Sequence, residues 1–213
     1  YDMARIIGER LQLKKATPDM SEWEEGRKRY EAATKPIAIG LVGKYTHLDD
    51  AYLSVIESIK SAAVFHKRKA EIVWVDSEKL EQKDKEEWDK LKTCAGIVVP
   101  GGFGKRGIEG KILAARYART EKVPYLGLCL GAQLLAIEFA RHALNDPTLT
   151  SEEFDEESKL GRDKYVVHFL PDQHKDTDKG GTLRLGQYRC TLKPGTKAAK
   201  AYGESEILER HRH

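Results

Sequence analysis

Val123-Pro-Tyr-Leu-Gly-Leu-Cys129-Leu-Gly-Ala-Gln133-Leu-Leu decides how the rest of the chain is read. An apolar run reaches a cysteine flanked by Gly127 and Gly131, and a helix-compatible segment follows at once. This is the pattern of a strand, a sharp turn and a helix, with a thiol at the apex, as in the Gly-x-nucleophile-x-Gly elbow. Such a turn is strained and leaves no room for Cβ atoms beside it, which is what the two glycines supply. A helix N-terminus favours the thiolate, the reactive form of cysteine, so a lowered pKa is expected at Cys129. The alternative is a buried core cysteine that merely ends a strand.

Working outward, the flanking sequence alternates strands and helices. Ile37–Gly43 is a continuous apolar run, the mark of a strand buried on both faces. Ala51–Phe65 reads as an amphipathic helix with Val55, Ile56, Ile59 and Ala62 on one side. Glu71–Val75 is a second strand, Ser77–Lys92 a charged helical stretch, and Ala95–Pro100 a third strand. Gly101–Gly104 is a glycine-rich turn, Ile108–Thr120 a helix, Tyr125–Leu128 a fourth strand, and Ala132–His142 its helix. This order predicts an α/β fold, a doubly wound and mostly parallel sheet flanked by helices. Ligands bind such sheets at the carboxyl ends of the strands, where both glycine turns fall.

The C-terminal half reads as antiparallel additions: strands over Tyr165–Leu170, Gly180–Leu192 and Glu206–Arg210, a short helix over Thr196–Tyr202, and a polar hairpin tip or loop over Pro171–Lys179. Asn145–Lys164 is acidic and non-periodic, either a solvated loop or a loop that meets a ligand over the strand ends. The N-terminal segment is polar. Tyr1–Leu13 and Ser21–Ala33 read as helices, the second opened by a capping-box-like Ser21-Glu-Trp-Glu. Residues 1–35 are taken as a linker and 36–213 as the main domain. Both ends look cut, which points to a piece of a longer protein.

Composition narrows the functional classes. The 37 basic and 34 acidic residues are interspersed and leave a net charge of only +3, too mild for a nucleic-acid surface. No apolar run approaches the roughly 20 residues of a membrane span. Three widely spaced cysteines, Cys94, Cys129 and Cys190, argue against a disulfide framework or a zinc site and for a reducing, cytoplasmic setting.

A cysteine nucleophile that attacks a carbonyl needs two N–H donors for the oxyanion. Leu130 supplies one, and the Gly101–Gly104 turn is placed to supply the other. The base should be a histidine oriented by a carboxylate. The histidines are His47, His66, His142, His168, His174, His211 and His213, and none has an evident partner in the sequence. His168 reads as a strand histidine. In an extended chain His211 and His213 face opposite Arg210 and Arg212.

Several stretches together carry a closer resemblance. Pro124–Gln133 resembles the active-site elbow of class I glutamine amidotransferases. Gly43-Lys-Tyr45, Asp50-Ala-Tyr52, Pro100-Gly-Gly-Phe-Gly-Lys-Arg-Gly-Ile-Glu-Gly110, Gly180-Gly-Thr-Leu-Arg-Leu-Gly186 and Glu209-Arg-His-Arg-His213 are similar to the glutaminase domain of the CTP synthase family, from about Ser21 onward. The resemblance implies a flavodoxin-like amidotransferase fold, with Cys129 as glutaminase nucleophile and the N–H groups of Gly102 and Leu130 as oxyanion hole. It assigns glutamine binding to Gly102, Leu130, Gly131, Ala132, Gln133 and Glu153. It assigns a GTP-linked lid to Arg106, Gly107 and Glu109, with Phe103 as a stacking partner for guanine.

The resemblance also implies what this stretch would lack. No cofactor belongs to the domain itself. ATP, Mg2+ and UTP would bind a synthetase domain of the same polypeptide, upstream of residues 1–35, GTP would act as allosteric activator, and the whole would be a cytoplasmic homotetramer. Ala132 departs from the methionine usual beside Gln133. The family's glutamine-holding arginine and its His-Pro-Glu segment, with the catalytic histidine and glutamate, are expected after His213. A chain ending at His213 is therefore expected to be inactive alone. Two other readings compete: a catalytically silent regulatory or assembly module of the same fold, and a generic cysteine or serine hydrolase. The second leaves the paired glycine turns unexplained.

Overall fold

A computed structural model describes residues 3–13, 19–44, 49–155, 157–170 and 185–212. The hairpin tip expected at Pro171–Lys179, the Gly180–Gly186 motif up to residue 184, His47, His174 and His213 lie outside the described residues. The chain forms two compact units, residues 1–37 with 53–71, and residues 38–52 with 72–213.

The first unit contains α1 (Met3–Arg10), α2 (Ser21–Ala32) and α3 (Leu53–Phe65). The capping box expected at Ser21 does not form. The helix begins at Ser21 itself, so its hydroxyl is one position too late, and Asp19 Oδ1 accepts the Ser21 N–H at 2.9 Å instead. No residue of α2 is buried, and its surface is laced by i,i+4 pairs such as Arg27–Glu31 at 2.6 Å. On α3 the buried residues are Ile56 and Ala63, while Ala62, expected on the apolar side, is exposed.

The second unit is built on a four-stranded sheet of order β2-β1-β3-β4, from β1 (Lys35–Gly43), β2 (Arg68–Asp76), β3 (Gly96–Val99) and β4 (Tyr125–Gly127). β1, β3 and β4 run parallel, with Leu41 opposite Val98 and Val98 opposite Leu126. The expected doubly wound sheet is thus present. Its order turns back between β1 and β3, the switch point where such sheets open a crevice. Leu41, Val42 and the whole of β3 are buried, which is why they read as unbroken apolar runs.

The charged stretch Ser77–Lys92 is two helices, α4 (Ser77–Glu81) and α5 (Lys85–Lys92). Lys83 takes a positive φ of 61°, and Asp84 caps α5 by accepting the Glu87 N–H at 3.0 Å. Helix α6 (Ile108–Glu121) joins two parts of the core. Its Ala114 and Ala118 pack with Val42, Val75, Leu80, Leu91, Ile97 and Val99. Its Ile108 and Ile112 pack with Leu130, Leu134 and Ile137 of α7 (Leu130–Ala143). A Cβ at Gly110 would lie 1.7 Å from the Ser77 carbonyl oxygen, so α6 meets α4 backbone to backbone. Arg119 closes the α6–α7 seam, with Nε 2.9 Å and Nη2 2.8 Å from the buried Glu138 carboxylate.

Of the additions, β7 (Leu185–Thr191) and β8 (Glu206–Arg212) are antiparallel, joined through α8 (Lys197–Tyr202). The short pair β5 (Thr150–Ser151) and β6 (Tyr165–Val167) is parallel rather than antiparallel. Two 3-10 turns, Glu152–Phe154 and Arg162–Lys164, lie between them in the chain. Among the described residues no helix is long and apolar enough to cross a membrane.

Candidate active site

The site lies where β1, β3 and β4 end. Cys129 occupies the turn between β4 and α7 with φ 53° and ψ −110°, a strained conformation for a residue with a side chain. Two close approaches enforce it. A Cβ at Gly127 would stand 2.3 Å from the Gly131 carbonyl carbon, and one at Gly131 would stand 2.1 Å from the Val99 oxygen. Leu128 N–H donates to the same Val99 oxygen at 2.9 Å, and the Tyr125 hydroxyl donates to the Gly131 oxygen at 3.0 Å. The elbow is thus riveted to the end of β3 and to its own strand.

The backbone N–H groups of Leu130 and Gly102 both donate to the Cys129 sulfur. This brings together the two donors predicted from the sequence. The glycine that needs to be bare is Gly101, whose added Cβ would sit 3.2 Å from Cys129 Cβ; at Gly102 it would meet only Leu130 Cδ2 at 3.6 Å. The expected lowering of the thiol pKa is not found. Burial of the thiol pushes it up, the Leu130 and Gly102 N–H groups pull it down, and the Glu153 carboxylate pushes it up again. The upward causes win, although the residue itself reaches solvent.

Glu153 belongs to the 3-10 turn after β5, where the Ser151 hydroxyl accepts its N–H at 3.3 Å. Its Oε1 accepts the Gly104 N–H at 2.9 Å. The acidic loop therefore contributes a carboxylate to the glycine turn, 49 residues away in sequence. Gln133, in the first turn of α7, holds a buried Oε1 with no hydrogen-bond partner among the described residues. Ala132, one residue earlier, is exposed.

Three of the four lid candidates share one cleft. Arg106, Gly107 and Glu109 line an open cleft of about 550 Å³ together with Glu78, Lys105 and Phe154. Arg106 Nε lies 3.0 Å from Glu78 Oε1. Glu109 is held by Arg141 of α7 through two bonds of 2.7 and 2.9 Å. Phe103 sits 41% exposed on the preceding turn. The described histidines have neighbours of their own. His66 meets Phe65, and His142 lies in the last turn of α7. His168 lies 3.6 Å from Glu152, and His211 packs on Tyr188.

Two lysines near the site escaped the sequence reading. Lys44, directly after β1, donates from Nζ to the carbonyls of Phe103 and Gly104 at 2.7 and 3.2 Å. Its signal was the Gly43-Lys-Tyr45 motif. Lys111 on α6 is only 1% exposed, and burial with the nearby Lys44 charge brings its pKa down to about 8. Nothing in an amphipathic helix marks such a lysine in advance.

Residues 47–213 match the family model for class-I glutamine amidotransferases. The chain belongs to the class I glutamine amidotransferase family. Within it, this amidotransferase is 49% identical over 208 residues to a CTP synthase of Carboxydothermus hydrogenoformans, covering 98% of this chain and 38% of that protein. It is 50% identical over 208 residues to the CTP synthase of Herpetosiphon aurantiacus, again with 98% and 38% covered. The chain therefore spans 38% of the length of these curated relatives. Among solved structures it is similar to the Trypanosoma brucei CTPS glutaminase domain with bound acivicin. That match has a TM-score of 0.69 and 34% identity, covering 83% of this amidotransferase and 66% of that chain.

Proposed function

We propose that this chain is the glutaminase domain of a CTP synthase. It hydrolyses L-glutamine at Cys129 and supplies ammonia to a synthetase domain that aminates ATP-activated UTP. The observation that carries this reading is the sulfur of Cys129 receiving the N–H groups of Leu130 and Gly102. A tetrahedral oxyanion formed on that sulfur falls within reach of the same two donors. The thiol loses its proton to the histidine base that the resemblance calls for, and sulfur bonds to the amide carbon. The C–N bond then breaks, and the leaving nitrogen takes that proton to depart as ammonia. Water hydrolyses the thioester, releasing glutamate and the thiol.

Glu153, tied to Gly104, accepts the α-ammonium of glutamine on its remaining lone pairs, and Gly131, Ala132 and Gln133 line the substrate beside it. The orphaned Gln133 Oε1 supports this, since a buried amide oxygen without a donor is costly until a ligand provides one. The cleft at Arg106, Gly107 and Glu109 is the proposed place of GTP activation, with Phe103 of the preceding turn as the proposed stacking partner for guanine. ATP, Mg2+ and UTP belong to the synthetase domain, the assembly to a homotetramer, and the protein to the cytoplasm.

The test is ammonia release from glutamine by the full-length protein, with mass spectrometry after treatment with a glutamine-analogue electrophile. Glutamine-dependent release and a single adduct on Cys129 are expected. A full-length protein that releases no ammonia and takes no label is instead a silent module of this fold.

A further inference from the structure

The motif Gly43-Lys-Tyr45 with Asp50-Ala-Tyr52 has no part in the chemistry described so far, yet the fold gives two of its members a defined task. Tyr52 is 6% exposed, and its hydroxyl accepts the Lys44 N–H at 3.3 Å. Gly43 makes this possible, since a Cβ there would stand 2.9 Å from that hydroxyl. The backbone of Lys44 is thereby fixed at the end of β1, on one side of the switch-point crevice. The side chain then crosses to the turn after β3. Its ammonium takes the Phe103 carbonyl at 2.7 Å and the Gly104 carbonyl at 3.2 Å.

These contacts fall on the peptide units that follow the oxyanion donor. The Gly101–Gly104 turn has two backbone duties: the Gly102 N–H faces the sulfur, and the Gly104 N–H faces Glu153. A glycine-rich turn does not hold such an orientation by itself, because Gly104 sits at φ 70° with open space around its α-carbon. Phe103 C=O and Gly104 N–H belong to one planar peptide unit and point in opposite directions, so holding that carbonyl holds the Gly104 N–H toward Glu153 and anchors the downstream end of the turn that carries the Gly102 N–H. We propose that Lys44 is a positioning residue of the glutaminase reaction: it clamps the Phe103 and Gly104 carbonyls so that the Gly102 N–H stays aimed at the oxyanion.

The bond is charge-assisted and partly shielded from water, which strengthens it. Burial, together with the Arg106 charge, pulls the Lys44 pKa below its ordinary value; Glu153 and Glu78 oppose this. Because the clamped turn carries both the Gly102 N–H and the Gly104 N–H that ties Glu153, its loss should lower kcat through the oxyanion and raise KM through Glu153.

This inference rests on the proposed glutaminase function, and the experiment separates the two. Full-length wild-type protein, Lys44→Met, Lys44→Arg and Tyr52→Phe are compared in two assays. The first is steady-state glutamine hydrolysis. The second is alkylation of Cys129 above the thiol pKa, by a chloromethyl ketone, which passes through an oxyanion, and by iodoacetamide, which does not. Lys44→Met should lower kcat about 10- to 100-fold, less than the roughly 100- to 1,000-fold of an oxyanion donor removed outright, with a rise in KM beside it. It should slow the ketone by a similar factor and leave iodoacetamide alone. Lys44→Arg should restore most of the loss, and Tyr52→Phe should show a smaller loss of the same pattern. Equal slowing of both alkylating agents would mean general damage and would overturn the inference, as would an unchanged kcat in Lys44→Met. If wild-type protein does not hydrolyse glutamine, the proposed function fails, while the ratio of the two alkylation rates still tests the clamp.

Discussion

Lys111 is the residue whose replacement should stabilise the fold. Its side chain is 1% exposed, and its pKa falls from 10.5 to about 8, mainly through burial and further through the charge of Lys44. The folded protein therefore holds this proton less tightly than the unfolded chain does. Between about pH 8 and 10.5 the unfolded state binds more protons, so stability rises with pH across that window. Below pH 8 the cost is present in full. At roughly 1.36 kcal/mol per unit, the shift corresponds to a cost of about 3 kcal/mol at neutral pH, an upper figure for what its removal returns.

Methionine matches lysine in length and carries no charge, so Lys111→Met should stabilise the protein by about 1–3 kcal/mol at pH 7. The gain should shrink as pH approaches 10. Urea unfolding of both proteins at several pH values between 7 and 10 measures this directly. A Lys111→Met protein that is less stable at pH 7, with a difference that does not change with pH, would refute the reasoning. The lysine would then be held by favourable contacts that outweigh its desolvation.

Three further outcomes follow from the packing and the site. Glu153→Gln weakens both the Gly104 tie and the binding of an ammonium, so kcat/KM for glutamine should drop roughly 10- to 100-fold, read from ammonia release. Gly131→Ala drives a Cβ to within 2.1 Å of the Val99 oxygen; it should lower stability by about 3 kcal/mol or more, seen as a fall in Tm. Arg119→Met strands the buried carboxylate of Glu138 and should cost about 3–5 kcal/mol in chemical denaturation, whereas the double replacement Arg119→Met with Glu138→Leu should recover most of it.

The centre of the sheet was legible because β3 and the end of β1 are buried on both faces. Leu41, Val42 and Ile97–Val99 have no solvent side, so they appear as apolar runs with turn glycines at their ends. The elbow was legible for a steric reason: Gly127 and Gly131 each stand where a Cβ would strike backbone. What escaped were the places where burial is reconciled with charge. Glu87 is 3% exposed, accepting the Asp76 N–H at 2.9 Å and pairing with Lys90 at 2.8 Å, yet in sequence it looks like any other residue of a solvated helix. The break between α4 and α5 depends on a positive φ at Lys83, which no lysine advertises. Glu153 illustrates the same limit, since its partner Gly104 is brought to it only by the fold.

At Cys129 local sequence and tertiary packing point in opposite directions. A cysteine at a helix N-terminus is expected to ionise readily. Here the thiol is pushed up by the protein packed around it and by Glu153, and the N–H groups of Leu130 and Gly102 offset only part of that. On the proposed glutaminase function, the consequence suits catalysis better than an ionised resting thiol would. A permanent thiolate would hold both N–H groups far more tightly in the ground state than a neutral thiol does, and stabilisation given to the ground state does not accelerate the reaction. With the proton retained, those donors face a neutral sulfur, a weak acceptor, and lose little in turning to the oxygen of a tetrahedral intermediate, where charge first develops. Ionisation then has to accompany substrate binding and transfer to a base. On that proposed function, formation of the nucleophile is coupled to the presence of its substrate.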